Sequence, residues 1–278
     1  MVRIITDSTA DISPERRKEL GIDILALTVN FGEESFIEGV NLTTNEFYEK
    51  LEQSKVLPTT SQVPPSEFQE MFEKYISQGD EVVAITISSH LSGTYQSSCI
   101  AKEMTNSDKV FVIDSLAATF QLRLLVEEAA MMRDAGMSAA EIDKEVRDLI
   151  GRMKLVAVVG TLKYLKMGGR LSTASAVVGT LLGICPVISI IDGKVEAIGK
   201  CRGQKAAFEF MHKHMQREDV DYSRLLAFGH TCAPEEMGKW KSFILPKLPR
   251  CDSIDGYIGS VVGTHVGPGA TGIAYFVK

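Results

Sequence analysis

Along the first half of the chain, short apolar runs alternate with stretches whose apolar residues recur at helical spacing. VRIITD (2–7) and ILALTVNF (24–31) each read as a strand. Thr43-x-x-Glu46 has capping-box spacing and predicts a helix to about Ser54. After a proline-restricted loop, Phe68, Phe72, Tyr75 and Ile76 mark one face of a second helix that Gly79 ends. EVVAITI (81–87) is apolar throughout, as a strand buried on both faces would be, and leads through SSHLSGT into a helix from about Thr94. KVFVID (109–114) repeats the device, with a helix to Asp134 stopped by Gly136. Ser138-x-x-Glu141 caps the next helix, which runs to about Met153. Strands separated by helices predict an α/β fold, with a parallel sheet covered by helices on both faces.

From Lys154 the pattern changes. KLVAVVG is a strand, and CPVISI and KVEAIGK flank Asp192-Gly193, a favoured two-residue hairpin turn. A helix (204–216), a strand (224–230), a helix (235–244) and further strands to Val277 predict a mixed sheet. The expected division is therefore an N-terminal parallel α/β domain over 1–154 and a C-terminal mixed-sheet domain over 155–278.

Composition narrows the class. Apolar residues make up 45% and charged residues 24%, as in an ordinary globular chain. The net charge of −6 and the lack of a basic-aromatic patch argue against nucleic acid. The most apolar stretch, Val177 to Ile191, is interrupted by Gly179, Gly183 and Pro186, so it reads as core and no membrane insertion is expected. MVRIITDSTAD carries no long apolar leader. Five scattered cysteines without a Cys-x-x-Cys pair suit reduced thiols, no metal site and a cytoplasmic location.

In open α/β sheets, ligands bind beyond the carboxyl ends of the strands. The richest such loop is Ser88 to Thr94, where hydroxyls and N–H groups surround a helix N-terminus that favours an anion. Helix capping by Ser92 or Thr94 is an equal reading, and the two are compatible. Thr59-Thr60-Ser61-Gln62 supplies more polar side chains than a single cap needs, although such loops are commonplace. The run from Gly263 to Gly272 contains G-x-G-x-x-G at 267–272 but reads into a strand, so a dinucleotide fingerprint is rejected. Its glycines suit a close backbone approach, and His265 stands in what reads as a glycine-rich loop. Asp7 and Asp114, at strand ends, suit turns or caps. His212 and His214 face different ways on their helix, and His230 stays open. Basic residues gather at Lys163, Lys166 and Arg170 and again at Lys200, Arg202 and Lys205; solvated faces account for most such clusters.

Together ITDSTADI, PTTSQVPPSEF, SSHLSGTYQSS, VIDS, KMGGRLS and GTHVGPGATG, in this order across nearly the whole chain, resemble the DegV family. Its members include the FakB fatty-acid-binding subunits of bacterial fatty acid kinase. The resemblance implies two α/β domains with a long-chain fatty acid such as palmitate between them, and no cofactor. It implies a carboxylate site at Thr60, Ser61, Ser92, Gly93, Thr94, His265 and Gly267, with Arg170 and Arg202 docking an ATP-binding kinase subunit. His90 stands where members often have glycine, and KCRGQKA matches only loosely around Arg202.

The expected function is to hold the acid and present it for acyl-phosphate formation, with no catalysis by this chain. This hydroxyl–histidine set lacks the metal-binding carboxylates and phosphate-cradling lysine expected for phosphoryl transfer. About fourteen buried methylenes would contribute on the order of 10 kcal/mol, and each charge-assisted hydrogen bond roughly 1.5–3 kcal/mol. Tunnel candidates are Val177–Ile184, Ile188, Ile190 and the Phe- and Met-bearing helices. Two other readings stand: a Ser92–His265 acyl hydrolase or transferase, which lacks an evident orienting acid, and a binder of another anionic lipid.

Overall fold

The structure, a computed structural model, describes residues 1–172 and 183–278. Four strands, β1 (Val2–Asp7), β2 (Ile22–Leu25), β6 (Glu81–Thr86) and β7 (Val110–Asp114), form a parallel sheet in the order β2-β1-β6-β7. Its strands are apolar at consecutive positions because both faces are covered. Ile5, Val82, Ala84 and Val112 pack against α2 (Thr44–Gln53), α3 (Pro65–Ser77) and α4 (Thr94–Thr105). Ile4, Val83, Ile85 and Ile113 pack against α5 (Thr119–Asp134) and α6 (Ala139–Arg152), while α1 (Pro14–Leu20) connects β1 to β2.

The expected single strand over 24–31 is two strands in different sheets. β2 ends at Leu25, and β3 (Thr28–Phe31) joins a small antiparallel sheet between β4 (Glu34–Ile37) and β5 (Thr59–Ser61). The chain turns at Leu27, whose N–H donates to the Ser8 hydroxyl at 3.0 Å. An unbroken apolar run carries no sign of such a change of sheet, since both strands are partly buried.

Both sequence-read capping boxes are present, at Thr43/Glu46 and Ser138/Glu141. Thr43 Oγ1 accepts from the Glu46 N–H at 3.3 Å, and the Glu46 carboxylate accepts from the Thr43 N–H at 2.8 Å. Thr43→Ala is expected to cost about 1 kcal/mol, read as a lower denaturant midpoint at unchanged m-value. An unchanged midpoint would mean that α2 is held by its packing alone.

A second sheet begins at Met153, two residues before the expected division. In order it is β10 (Lys194–Arg202), β9 (Ile184–Ile191), β8 (Met153–Val158), β13 (Thr271–Phe276), β11 (Leu226–His230) and β12 (Ser253–Tyr257). Only the β11–β12 pair is parallel, so the sheet is mixed, as the pattern predicts. The hairpin turn is at Asp192-Gly193, both with positive φ (47° and 76°). Helices α8 (Gln204–Met215) and α9 (Pro234–Ile244) cover the outer face around buried Trp240 and Phe208. Two further helices among the described residues are α7 (Lys163–Met167) and α10 (Ser260–Val266).

The inner faces of the two sheets share one core, with α5 between them. This explains why α5 is buried almost all round from Thr119 to Ala130. Its charges are paired: Arg16 and Arg123 both donate to Glu127, at 2.6 and 2.7 Å, and Arg224 donates to Glu128 at 2.7 Å. The N-terminus of α5 is thereby fixed where the two sheets meet, at the edge of the site described next.

Candidate functional site

In the parallel sheet the chain steps from β1 to β2 on one side and then returns past β1 to β6 on the other. Such a switch point leaves a crevice beyond the strand ends. The inner face of the mixed sheet closes it into an apolar cavity, of which about 80 Å³ is open to the centre of a water molecule. The mixed sheet contributes Ala157, Ile188, Ile190 and Val195; the first half contributes Leu27, Ile87, Leu91 and Phe120. Six polar side chains reach this apolar wall, Thr60, Ser92, Thr119, Arg170, His265 and Thr271, and Thr60, Ser92, Arg170 and His265 among them come from distant parts of the sequence.

His265 lies in the last turn of α10, not in a loop as the glycines of that segment suggest. Gly263 and the β-branched neighbours give the segment little helix propensity of its own. Packing and capping by distant residues hold it instead. A Cβ at Gly263 would lie 2.6 Å from Tyr48 Oη and 2.8 Å from Phe47 Cε1, so glycine lets α10 rest directly on α2. At the other end Asp11 accepts from the Gly259 N–H at 2.8 Å, and Glu38 accepts from the Val261 N–H and the Ser260 hydroxyl, both at 2.8 Å. These carboxylates complement the positive end of the helix. Burial pushes the pKa of both up, that of Asp11 further through the neighbouring Glu38 charge.

The His265 imidazole is held on both edges. Nε2 and Thr60 Oγ1 are 2.9 Å apart, and a Cβ at Gly168 would lie 2.4 Å from Nδ1. Nδ1 is buried and has no hydrogen-bond partner among the described residues. Burial first, and then the Arg170 cation, push the imidazole down to about 4, so it is neutral at neutral pH. Arg170 itself is tethered, Nε donating to Leu91 O at 3.1 Å and Nη1 to Gly168 O at 2.6 Å. The resulting mouth combines a fixed cation, two hydroxyls and a neutral imidazole beside an apolar cavity, a set suited to a carboxylate with a long apolar tail.

The depressed His265 pKa makes the empty protein's stability depend on pH. Between about 4 and 6.5 the unfolded chain binds a proton at this position and the folded chain does not, so unfolding takes up a proton. This contribution is present above the ordinary imidazole range and is lost as pH falls toward 4. Asp7, pushed up to about 6 mainly by burial, acts in the opposite sense over an overlapping window. His265→Gln is therefore expected to remove a rising limb from the stability profile between pH 4 and 6.5, measured as the difference from the parent protein. Parallel profiles would show that the imidazole titrates normally.

Of the carboxylate-site and docking residues that the resemblance implies, Thr60, Ser92, Arg170 and His265 come together at the cavity, whereas Ser61, Gly93, Thr94, Gly267 and Arg202 do not line it. Ser61 is exposed, its hydroxyl accepting from Asn30 Nδ2 at 3.0 Å. Thr94 is fully buried behind Ser92, the two hydroxyl oxygens 2.9 Å apart. Gly93 makes room for Gln62: a Cβ there would fall 1.9 Å from Gln62 Oε1, and Gln62 Nε2 donates to Ser97 Oγ at 2.8 Å. The Gln62 amide thus packs against the start of α4, beside the N–H groups that the sequence reading offers to an anion. Ser92 nevertheless does two jobs, accepting from the Thr94 N–H at 3.3 Å and lining the cavity.

Gly267 serves packing, with φ of 74° and the Tyr164 ring where a Cβ would stand. The G-x-G-x-x-G run leads into β13 and precedes no helix. Arg202 is exposed at the end of β10, whereas Arg170, expected only as a docking residue, is part of the cavity wall. Ser92 and His265 are not hydrogen-bonded to each other: the hydroxyl is joined to Thr94 and the imidazole to Thr60. The Ser92–His265 nucleophile–base pair that the hydrolase reading requires is therefore not formed. Asp7, Asp114 and His230 have structural partners, accepting from the Ile87, Leu116 and Ala233 N–H groups. Of the expected tunnel segment, Val177 to Leu182 lie outside the described residues, while Ile188 and Ile190 line the cavity.

Leu91, within the expected ligand loop, and Phe120, on one of the Phe- and Met-bearing helices, also line it, as do Leu27 and Thr119, which escaped the sequence reading. Thr119 and Phe120 follow the loop after β7, where the strand-end rule that pointed to Ser92 applies equally. That loop simply carries fewer polar residues. Among the described residues no helix is long and apolar enough to cross a membrane, and no cluster of His, Cys, Asp and Glu could hold a metal.

Comparison with known proteins gives the same outline. A family model, that of the DegV family of uncharacterised proteins, matches residues 1–278. A DegV domain-containing protein of Caldanaerobacter subterraneus is 36% identical, the match covering 100% of this chain and 99% of the relative. Among solved structures, a fatty-acid-binding DegV family protein from Thermus thermophilus superposes with a TM-score of 0.90 at 28% identity, covering 100% of this chain and 99% of that one. A stearic-acid-binding protein from Eubacterium ventriosum superposes with a TM-score of 0.89 at 28% identity over the same shares.

Proposed function

The chain belongs to the DegV family, and from that premise we propose that it binds a long-chain fatty acid without transforming it. The acid lies between the first α/β unit (1–154) and the second (155–278), its tail in the cavity and its carboxylate at the mouth. The observation that carries this reading is the meeting of Thr60, Ser92, Arg170 and His265 at one apolar cavity. Fatty-acid binding by the relatives of the same fold supports it.

The two ends of the ligand have different tasks. The tail supplies most of the affinity through burial, and the hydroxyls, imidazole and guanidinium decide which end faces outward. A carboxylate beside His265 also favours the imidazolium, so binding in mildly acidic solution takes up protons. In the cytoplasm the carrier presents this carboxylate to a separate ATP-binding kinase subunit, which brings nucleotide and metal and forms the acyl phosphate. Arg202, exposed near the second basic cluster, is a docking residue for that partner. Arg170 takes part from the rim of the cavity.

Mass spectrometry of the purified protein, native and then after organic extraction, tests the ligand class. A co-purifying fatty acid at one per chain is expected. A protein that is empty and takes up no added fatty acid would overturn the proposal.

A further inference from the structure

The outer face of the β9–β10 hairpin brings two thiols together. Cys185 and Cys201 are direct partners in the antiparallel register. Directly opposed residues of such a pair point to the same face, with Cα atoms about 4.5–5.5 Å apart in either kind of pair. A disulfide needs Cα atoms roughly 4.4–6.8 Å apart, so both pair types satisfy it without a change of register. The other three cysteines are free as well, but none lies opposite another in a strand pair. We infer that Cys185 and Cys201 form a reversible thiol–disulfide couple, a site of oxidative modification separate from the cavity.

The two thiols have unequal surroundings that assign them different steps. Cys201 is 8% exposed and packed in the outer core, whereas Cys185 is only partly covered. Burial, with a smaller effect from Cys185, pushes the Cys201 thiol up, so it waits in the protonated form. With a peroxide as oxidant, the Cys185 sulfur attacks the O–O bond, becoming a sulfenic acid as water leaves. The Cys201 sulfur then attacks that sulfenic sulfur, the S–S bond forms, and its proton departs with the hydroxyl as a second water. Two thiols lose two electrons and two protons in total, and one peroxide becomes two waters. A dithiol reductant reverses the change by exchange through a mixed disulfide.

The place of the bond gives it a consequence. At one end the ribbon is closed by the Asp192-Gly193 turn, and its inner face supplies Ile188, Ile190 and Val195 to the cavity. The cysteine pair lies toward the other end, beside Arg202. Oxidation fastens that end covalently, so the ribbon can no longer part there.

A background variant Cys232→Ser removes the exposed thiol that would join separate molecules. Treated with hydrogen peroxide, this protein is expected to fall from four titratable thiols to two and to recover all four with a dithiol reductant. A non-reducing tryptic digest should then yield the peptide 171–194 joined to the Cys201–Arg202 dipeptide. Adding Cys201→Ser should abolish the linked peptide while leaving circular dichroism unchanged. Oxidation of Cys185 only to sulfinic or sulfonic acid in the folded background protein, or linkage of either thiol to Cys99 or Cys251, would overturn the inference.

Discussion

Replacing Ser92 and His265 together by alanine is expected to weaken binding of palmitate by about two orders of magnitude, measured by calorimetry or by displacement of a fluorescent fatty acid. Each removed group ends one hydrogen bond to a charged carboxylate, worth roughly 1.5–3 kcal/mol, so the pair accounts for about 3 kcal/mol at the low end. The loss stops there because Arg170, tethered to Leu91 O and Gly168 O, keeps its position and its charge. Either single change should cost about half of this, one hydrogen bond each. A long-chain alcohol gives the decisive control. It brings the same tail without the charge and should lose much less affinity in the double variant. If palmitate and the alcohol fall equally, the variant has damaged the cavity. If neither changes, the carboxylate is not held at this mouth.

The fold was legible wherever one local signal sufficed. The capping boxes at Thr43 and Ser138, the Asp192-Gly193 hairpin and the continuous apolar strands β6 and β7 each declare themselves within a few residues. What escaped needs long-range partners. Helix α10 is unpromising as a peptide and exists because Asp11 and Glu38, some 220 or more positions away, cap it and Phe47 and Tyr48 receive it. The break between β2 and β3 likewise depends on Ser8 reaching Leu27. In the candidate site, sequence pattern pointed to polar loops, and Thr60, Ser92 and His265, which sit in such loops or beside glycines, line the cavity. Ser61, Gly93, Thr94 and Gly267 carry the same signal but do not line the cavity, serving a sheet edge, a close contact and packing. Apolar wall residues such as Leu91 and Phe120 carry no local mark that separates a lining from a core.

That limit bears directly on the acyl length that the proposed site would take. The cavity touches four consecutive strands of the mixed sheet, β10, β9, β8 and β13, and no residue of the next two, β11 and β12. Phe120 stands at this limit. Its ring lies where a Cβ of Gly229 in β11 would be, with Cδ1 only 2.1 Å from that position, and its Cβ is 3.9 Å from the corresponding point of Gly256 in β12. Phe120→Ala is therefore expected to extend the cavity across the two glycines. In the empty protein this should cost about 3–5 kcal/mol, the usual penalty for truncating a buried phenylalanine. Part of the loss should return on adding an acid long enough to fill the space, each further buried methylene contributing about 0.8 kcal/mol, or about fourfold in Kd. The preferred acid should thus lengthen while a shorter one binds no better than before. Gly229→Ala makes the opposite change, pressing the ring toward the cavity, and should favour shorter acids at an overpacking cost of roughly 1–3 kcal/mol. Opposite shifts in the chain length that co-purifies would identify Phe120 as the end wall. The same length preference in both variants would place the end of the acyl chain elsewhere along the sheet.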